Sequence, residues 1–279
     1  MQPIPAGITS RVQPLVGIRA VAFDVYGTLL ISDTGQMLHR TDGLQLSDEE
    51  DRKSIVCEAV ASAGIRLPAG SAGRLVADLS GEISRAQVTA KASGIAYPDP
   101  DVRDVWTSVL RETEVSVTPR QIELLAVEYE LRVNPTWPMP GARNCLRALH
   151  GIAELGIISN AQFLTPLIID EQLGPSFGDL IPRDQCFWSY QYSRAKPGKE
   201  LFEAASDCFM KMGIDRSACL FVGNDMRNDI WTAATCGWRT ALFAGDARTL
   251  RLREDDECCR GLEPDLTITT LAQLPPLLR

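Results

Sequence analysis

The length, composition and charge of the chain limit the functions it can have. It has 279 residues, 45% hydrophobic and 23% charged, which is enough for one substantial core and a smaller second domain. The net charge of -8 argues against a nucleic-acid partner, because that kind of binding depends on clustered Lys and Arg. No signal-peptide pattern opens the chain, and it contains no run of about 18 apolar residues. We therefore expect a cytoplasmic protein that has a small-molecule substrate and no membrane partner.

Cysteine and histidine usage narrows the chemistry further. The eight cysteines have neither the CxxC spacing of a zinc site nor the density of a disulfide-stapled scaffold, so we expect reduced thiols. The histidines are His39 and His150 alone, which are too few for a histidine-based metal site or a catalytic triad.

The first predicted element in chain order is a strand that ends in an acid. Residues 18–25, IRAVAFDV, form a short apolar run typical of a buried parallel strand. Residues 33–137 differ, because amphipathic helices follow one another there without a clear strand. A helical domain inserted directly after Asp24 would sit over the strand ends as a lid. The prolines of 133–141, VNPTWPMPG, predict a stiff return linker.

The predicted cap helices have apolar residues three or four positions apart. Leu75, Leu79 and Ile83, for example, lie on one stripe, which is typical of the core of a helical bundle. Capping residues mark two of the helix starts: Ser47 with Glu50 three places on, and Thr118 followed by Pro119.

Strands and helices alternate in the C-terminal half. Three further apolar runs, at 151–159, 218–223 and 238–245, predict strands, and patterned helices separate them. The alternation predicts an α/β fold, a Rossmann-like parallel sheet with its reactive groups at the carboxyl ends of the strands. Residues 17–32 and 138–279 then form this core, into which the all-helical cap domain is inserted.

An aspartate at a strand end, followed by Gly-Thr, occupies the position of a nucleophile. The carboxylate of Asp24 can point out of the sheet with backbone N–H groups beside it. Gly27 permits a tight turn, and the hydroxyl of Thr28 can hold the loop. Taken alone, DVYGT is equally compatible with an ordinary strand-to-loop turn that ends in an acid. The residues at the later strand ends decide between these interpretations.

Polar and charged residues also follow the later strands. Ser159 and Asn160 are small hydrogen-bonding residues suited to an oxyanion, and they are also common where a strand turns into a helix. Lys196 precedes a proline at the start of a helix, where a lone lysine is usually solvated. Four more residues form a cluster that requires a cation or a lysine for balance: Asn224, Asp225, Asn228 and Asp229.

The order of these motifs resembles that of the haloacid dehalogenase superfamily. Asp24 matches the nucleophile of that family, Ser159 the hydroxyl residue of its second motif, Lys196 the lysine of its third and VGNDMRND its acidic fourth. The resemblance covers the predicted sheet domain, and the helical insertion stands where the family carries its variable cap. It implies a Rossmann-like core with a mobile cap and an enzyme that forms a covalent aspartyl intermediate.

The resemblance implies a cation beside the nucleophile. A carboxylate that attacks a phosphate dianion needs one, because both groups are negative. Mg²⁺ suits the carboxylate of Asp24, the backbone carbonyl of Tyr26 and the carboxylate of Asp225 as ligands. Asn224 and Asp225 both stand near the position of the usual acid, and we favour Asp225 because Asn224 brings no charge to a cation.

The remaining site residues receive supporting roles. Lys196 and Ser159 would hold oxygens of the transferring group and balance the charge of the nucleophile. Tyr26 and Asn160 would contact the substrate. Asp229 would anchor Lys196 or a metal-bound water.

Tyr26 leaves the choice of reaction open. Phosphatases of the superfamily usually have a second aspartate at this position, which acts as general acid and base. A phenol with a pKa near 10 is a poor base, and general acid–base help is commonly worth about 10²–10⁴ in rate. A tyrosine in DxYGT is instead a feature of the 2-haloacid dehalogenase branch, whose reaction needs neither an acid nor a metal.

Two features oppose the dehalogenase branch. Residues 31–96 contain no aromatic side chain, and neither Arg40 nor Arg52 has the setting that the branch shows for its substrate-binding arginine. Asp225 also stands where a metal-free enzyme is expected to have a neutral residue. We therefore favour Mg²⁺-dependent cleavage of a phosphate monoester over metal-independent dehalogenation. A binding or regulatory protein that lost turnover through Tyr26 is the third hypothesis.

Overall fold

The computed structural model describes residues 1–32, 49–68, 70–113, 115–174 and 177–278. The chain divides into two compact units. The sheet unit is Met1–Gly35 with Thr136–Arg279, and the helical unit is Gln36–Pro135. Ser47, the predicted helix cap, and Arg40 lie outside the described residues.

Eight strands occur in the described ranges, all in the sheet unit. They are β1 (Ala20–Phe23), β2 (Leu30–Ser32), β3 (Thr136–Pro138), β4 (Glu154–Ser159), β5 (Cys186–Trp188), β6 (Cys219–Gly223), β7 (Arg239–Phe243) and β8 (Leu266–Ile268). Six of them form one parallel sheet in the order β5-β4-β1-β6-β7-β8. The predicted Rossmann-like α/β core is therefore confirmed.

The other two strands pair antiparallel, with Leu30 opposite Pro138. β3 lies within the predicted linker and was not predicted. β5 and β8, of three residues each, were not predicted either. Such short strands have too few residues to show a periodic pattern, and their pairing partners lie far away in the chain.

Ten α-helices occur among the described residues. They are α1 (Glu49–Ser62), α2 (Ala72–Ala92), α3 (Val102–Arg111), α4 (Pro119–Val133), α5 (Ala142–Leu149), α6 (Thr165–Leu173), α7 (Phe177–Leu180), α8 (Ser189–Tyr192), α9 (Glu200–Lys211) and α10 (Thr232–Thr235). A π-helix, Met226–Trp231, precedes α10. Across the described ranges, none of the helices combines the length and apolar character needed to cross a membrane.

The helical unit consists of α1 to α4. α1 packs against α4 and α2 against α3. The predicted stripe of Leu75, Leu79 and Ile83 is buried, and Trp106 meets Tyr129 edge-on with ring centroids 5.3 Å apart. This confirms the predicted helical bundle core.

The predicted start of α4 is also confirmed. The hydroxyl of Thr118 accepts a hydrogen bond from the N–H of Gln121 at 3.3 Å, and the side chain of Gln121 accepts one from the N–H of Thr118 at 3.0 Å. Pro119 occupies the first turn, where its missing N–H costs nothing.

The register of the sheet brings three strand ends together. β1 lies between β4 and β6, with Phe23 beside Ile157 on one side and Val222 on the other. All four residues of β1 are buried, as expected for a strand covered on both faces. The residues that follow β1, β4 and β6 consequently emerge at one edge of the sheet.

Candidate active site

Asp24 lies where β1 ends and the chain turns. Its N–H donates to the carbonyl of Val222 at 2.9 Å, which extends the pairing with β6 by one residue. The turn closes through the N–H of Gly27, which donates to the carbonyl of Leu30 at 2.7 Å, and Gly27 has a φ of 88° in the region that favours glycine. Asp24 is 7% exposed. Its carboxylate is therefore held at the sheet edge with limited access to solvent.

Two side chains from distant parts of the chain converge on one oxygen of this carboxylate. The Nζ of Lys196 lies 2.7 Å from Oδ1 of Asp24, and the hydroxyl of Ser159 donates to the same atom at 3.0 Å. Ser159 is the last residue of β4, the strand beside β1. The side-chain hydrogen bonds that Asp24 accepts from described residues fall on Oδ1, so Oδ2 keeps its lone pairs for another partner.

Lys196 is buried with its three N–H donors in use. Besides Asp24, its ammonium contacts Oδ1 of Asp229 at 2.6 Å and the carbonyl of Ile158 at 3.0 Å. Burial alone would lower the pKa of Lys196, but the charges of Asp229 and Asp24 outweigh it, and the pKa is raised. Lys196 is thus a fixed cation between two carboxylates.

Asp229 lies on the π-helix and completes this buried group. Its Oδ2 accepts the N–H of Asp225 at 2.9 Å. A Cβ at position 223 would collide with the Asp229 side chain, so Gly223 is what permits the close approach. Burial raises the pKa of Asp229 to about 7, against the lowering effect of Lys196 and with a further raising effect of Asp24.

Asn160 holds the backbone at Lys196. Its side-chain Nδ2 donates to the Lys196 carbonyl at 3.1 Å, and its Oδ1 accepts the Lys196 N–H at 2.7 Å. Both polar groups of the amide are therefore engaged by the protein. These contacts position the backbone at Lys196, and the predicted substrate contact of Asn160 stays a prediction.

The hydroxyl of Tyr26 faces the loop that follows β4. It lies 2.9 Å from Oγ1 of Thr165, and both residues are buried. Thr165 also accepts the N–H of Gln162 at 3.3 Å, so the contact joins the nucleophile loop to the start of α6. The hydrogen bond with Thr165 has a structural role, and the predicted substrate contact of Tyr26 stays a prediction.

Asn224 is the side chain of the fourth motif that lies beside the nucleophile loop. Its Oδ1 is 3.5 Å from Oγ1 of Thr28, and a Cβ at Gly27 would collide with its amide. Its Nδ2 donates to the carbonyl of Thr249 at 2.6 Å. Thr249 also packs against Gly27, so the segment after β7 touches this loop.

Asp225 points to other partners. Its carboxylate accepts the N–H groups of Arg227 and Asn228, at 2.9 and 3.0 Å, and so caps the π-helix. Arg253 binds the same carboxylate with both Nε and Nη2, the latter at 2.7 Å from Oδ2. The sequence favours Asp225 over Asn224 as the metal ligand, because Asn224 brings no charge to a cation. In the structure, the Asn224 side chain lies beside the nucleophile loop, and Arg253 and two helix N–H groups engage Asp225.

The family of the chain follows from a comparison with known proteins. The sequence profile of the haloacid dehalogenase-like hydrolases matches residues 18–237, more than half of the chain. The chain belongs to the haloacid dehalogenase-like hydrolases. The superfamily indicated by the four motifs is thereby confirmed, and so is the general class of hydrolase.

Similar proteins within this superfamily carry out different reactions. Pyrimidine 5'-nucleotidase YjjG of Escherichia coli K12 is 30% identical over 142 residues, which are 50% of this chain and 56% of the relative. The match thus spans about half the length of that curated relative. A 2-haloacid dehalogenase from Pseudomonas syringae pv. Tomato DC3000 has 18% identity and a TM-score of 0.53, with 93% of this chain and 97% of that one covered.

A second solved structure, the HAD phosphatase from Thermococcus onnurineus, has 17% identity and a TM-score of 0.51, also with 93% and 97% covered. At these identities the structural similarity shows the fold of this haloacid dehalogenase-like hydrolase and not its reaction. A dehalogenase and a phosphatase match it about equally well. The choice between the two reactions therefore depends on the residues of the site.

Membership of this family suggests Mg²⁺ as a cofactor. The ligand atoms near Asp24 show whether this chain could bind the ion. Mg²⁺ prefers hard oxygen ligands, usually one or two carboxylates with water. Of the predicted ligands, Asp225 is engaged by Arg253, and Asn224, which takes its place, is uncharged. In the ranges that the structure describes, no three His, Cys, Asp or Glu side chains form a group able to hold a metal ion. These residues do not fit the predicted Mg²⁺ site.

Three contributors to the site were not predicted from the sequence: Thr165, Thr249 and Arg253. Each contacts a residue that is far away in the chain, and no local sequence pattern predicts such a contact. The basic run RTLRLR, which ends at Arg253, was the available signal. A run of this kind is usually solvated surface, so its charge alone does not identify a role.

Proposed function

We propose that this haloacid dehalogenase-like hydrolase displaces a halide from a small 2-halo acid through a covalent ester on Asp24, without a metal. One observation carries the proposal. Lys196 and Ser159 both bind Oδ1 of Asp24, at 2.7 and 3.0 Å, which leaves Oδ2 to attack. An oxygen held by an ammonium and a hydroxyl is also a prepared place for the charge that develops on a carboxylate ester when water attacks it.

The leaving group distinguishes the two reactions. Cleavage of a phosphate monoester releases an alkoxide, which needs a proton from a general acid. Tyr26 stands where the superfamily's phosphatases usually have that acid, and its hydroxyl is bound to Thr165 at 2.9 Å. A halide leaves without a proton. The absence of a second carboxylate at position 26 therefore favours displacement at carbon.

The two half-reactions balance. In the first, Oδ2 of Asp24 bonds to the carbon that carries the halogen, and the halide departs with the bonding electrons. In the second, the oxygen of water adds to the ester carbonyl while one proton of the water passes to Asp229, whose pKa burial raises to about 7. The bond between the carbonyl carbon and the ester oxygen then breaks, the departing oxygen takes up the other proton of the water, and a 2-hydroxy acid leaves with Asp24 restored as a carboxylate. Lys196 neutralises the charge of Asp24 before the attack and the charge that develops on Oδ1 when water adds to the ester.

Phosphate monoester hydrolysis is the second candidate. The observations in its favour are the 30% identity to a pyrimidine 5'-nucleotidase over half of this chain and the lack of aromatic side chains in residues 31–96. Against it stands the poor fit of the site to Mg²⁺, since Asn224 is uncharged and Asp225 is paired with Arg253.

The two candidates separate in one assay. Short 2-chloro and 2-bromo acids and pyrimidine nucleoside monophosphates are each incubated with the protein in EDTA and in excess Mg²⁺. The proposal expects halide release that EDTA leaves unchanged. Phosphate release that EDTA abolishes, without halide release, would overturn it in favour of the second candidate.

A single-turnover experiment in H₂¹⁸O tests the covalent intermediate. Hydrolysis of the ester at its carbonyl carbon places ¹⁸O in the carboxylate of Asp24, which the mass of its proteolytic peptide reports. Direct attack of water on the substrate places the label in the product alone. Wild-type protein incubated in H₂¹⁸O without substrate controls for exchange without turnover, and the Asp24→Asn variant is expected to lose activity.

A further inference from the structure

The acidic fourth motif is neutralised in part by an arginine from another segment of the chain. Asp225 is mostly buried and forms a two-point ion pair with Arg253, with distances of 2.7 and 3.2 Å to Oδ2. Arg253 lies in the segment after β7, which also pairs its backbone with the fourth motif. The N–H of Arg251 donates to the carbonyl of Asn224 at 3.0 Å, and the N–H of Met226 donates to the carbonyl of Arg251 at 2.9 Å. The position of the arginine is therefore built into the backbone.

Asn224 does something that an aspartate cannot do. Its Nδ2 donates to the carbonyl of Thr249 at 2.6 Å, while its Oδ1 faces Thr28. A carboxylate in this place would put an oxygen against a carbonyl oxygen, which is unfavourable unless a cation lies nearby. The amide thus fastens the segment after β7 to the loop of Asp24 without a cation.

We propose that Arg253 and Asn224 together replace a divalent cation in this chain, and that Asn224→Asp alone is enough to install Mg²⁺ affinity beside Asp24. Arg253 supplies the positive charge that Asp225 needs. Asn224 supplies the bridge between the two loops that a metal with two carboxylates would otherwise make. This inference rests on the proposed metal-independent function, but it concerns binding and is tested without turnover.

The experiment compares Mg²⁺ binding by the full-length wild-type protein and by Asn224→Asp. Each is titrated with MgCl₂ by isothermal calorimetry, and melting is followed at equal ionic strength with NaCl in place of MgCl₂. We expect no saturable binding by the wild type and saturable binding by Asn224→Asp. The variant should melt lower than the wild type without Mg²⁺ and rise by about 2 °C or more in 10 mM Mg²⁺.

Two further variants make the result specific. Asn144→Asp introduces the same charge at an exposed position of α5, and it should show no Mg²⁺ effect. Asn224→Asp combined with Asp24→Asn should bind Mg²⁺ at least tenfold more weakly than Asn224→Asp alone. That result would place the ion next to the nucleophile.

Two outcomes would overturn the proposal. One is saturable Mg²⁺ binding by the wild type that Asp24→Asn abolishes, and this arm decides the question even if Asn224→Asp does not fold. The other is a folded Asn224→Asp variant, with native near-UV circular dichroism, that binds no Mg²⁺. Failure of halide release would leave both readouts intact, so it is distinguishable from failure of this inference.

Discussion

Tyr26 and Thr165 share a 2.9 Å hydrogen bond between two buried hydroxyl groups, and it joins the loop of the nucleophile to the first residue of α6. The tyrosine stands at the place where the superfamily's phosphatases usually carry an acid. Its hydroxyl is used to hold two loops together. Tyr26 therefore replaces the acid that those phosphatases carry at this position, and its hydroxyl stabilises the arrangement of the two loops.

The first prediction concerns this bond. Tyr26→Phe keeps the ring and leaves Thr165 with its contact from Gln162, so we expect a loss of about 0.5–1.5 kcal/mol in the free energy of unfolding. Because the hydroxyl is not required as an acid for halide departure, kcat should stay within a few-fold of the wild type. Urea unfolding and steady-state kinetics check both values. A loss of 10²-fold or more in kcat at unchanged stability would show that the phenol takes part in proton transfer.

Lys196 is expected to be essential for both stability and turnover. Lys196→Met leaves Asp24 and Asp229 buried without their shared cation, and breaking a buried ion pair on one side commonly costs about 3–5 kcal/mol. Lys199→Met, three residues away and exposed, should change stability by less than about 0.5 kcal/mol. Chemical unfolding at neutral pH compares the two. Equal effects would contradict a special role for Lys196.

Stability is expected to depend on pH through Asp229. Burial raises its pKa from 3.8 to about 7, so the folded state keeps a proton that the unfolded state releases above about pH 4. The contribution of this group to the free energy of unfolding therefore falls between about pH 4 and pH 7 and is constant outside this range. Asp229→Asn removes this fall, and its stability relative to the wild type should rise across the window.

Urea unfolding at four pH values between 4 and 8 measures the difference between Asp229→Asn and the wild type. Asp255→Asn, at an exposed position, is the control and should run parallel to the wild type. A constant offset between Asp229→Asn and the wild type would contradict the raised pKa of Asp229.

The pair of Arg253 and Asp225 is expected to contribute measurably to stability. Arg253→Met should lower the free energy of unfolding by about 1–3 kcal/mol, since charge-assisted hydrogen bonds to a mostly buried carboxylate are lost. Arg253→Lys should recover less than half of this, because an ammonium cannot bind in the two-point geometry of a guanidinium. A double-mutant cycle with Asp225→Asn isolates the pair. A coupling energy near zero would show that the ion pair does not contribute to stability.

Gly27 is expected to tolerate no side chain. Gly27→Ala places a Cβ against Asn224 and Thr249 and also strains a backbone with a φ of 88°. Gly151→Ala is a matched control, since Gly151 has a φ of 85° and open space around it. The control should cost about 1 kcal/mol from backbone strain alone, and Gly27→Ala clearly more, with loss of activity. Similar melting temperatures for the two variants would contradict the close approach at Gly27.

Local patterns were sufficient to predict the elements. Strand β1 with Asp24 at its end, the buried stripe of Leu75 and the capping box at Thr118 each depend on residues within a few positions of one another, and each was predicted correctly. Alternation of strands and helices also predicted the parallel core, because βαβ connections leave few alternatives. The motif order at the strand ends indicated the superfamily in the same way.

What the sequence by itself determined about this protein is therefore its fold class and its family, and it also singled out Ser159 and Lys196, which meet at Asp24. Only the tertiary structure decided which of two adjacent residues, Asn224 or Asp225, lies beside the nucleophile loop, because a partner far along the chain, Arg253, engages the other. Contacts of this kind depend on how strands and loops pack in three dimensions. The secondary-structure preferences of short sequence segments do not determine that packing.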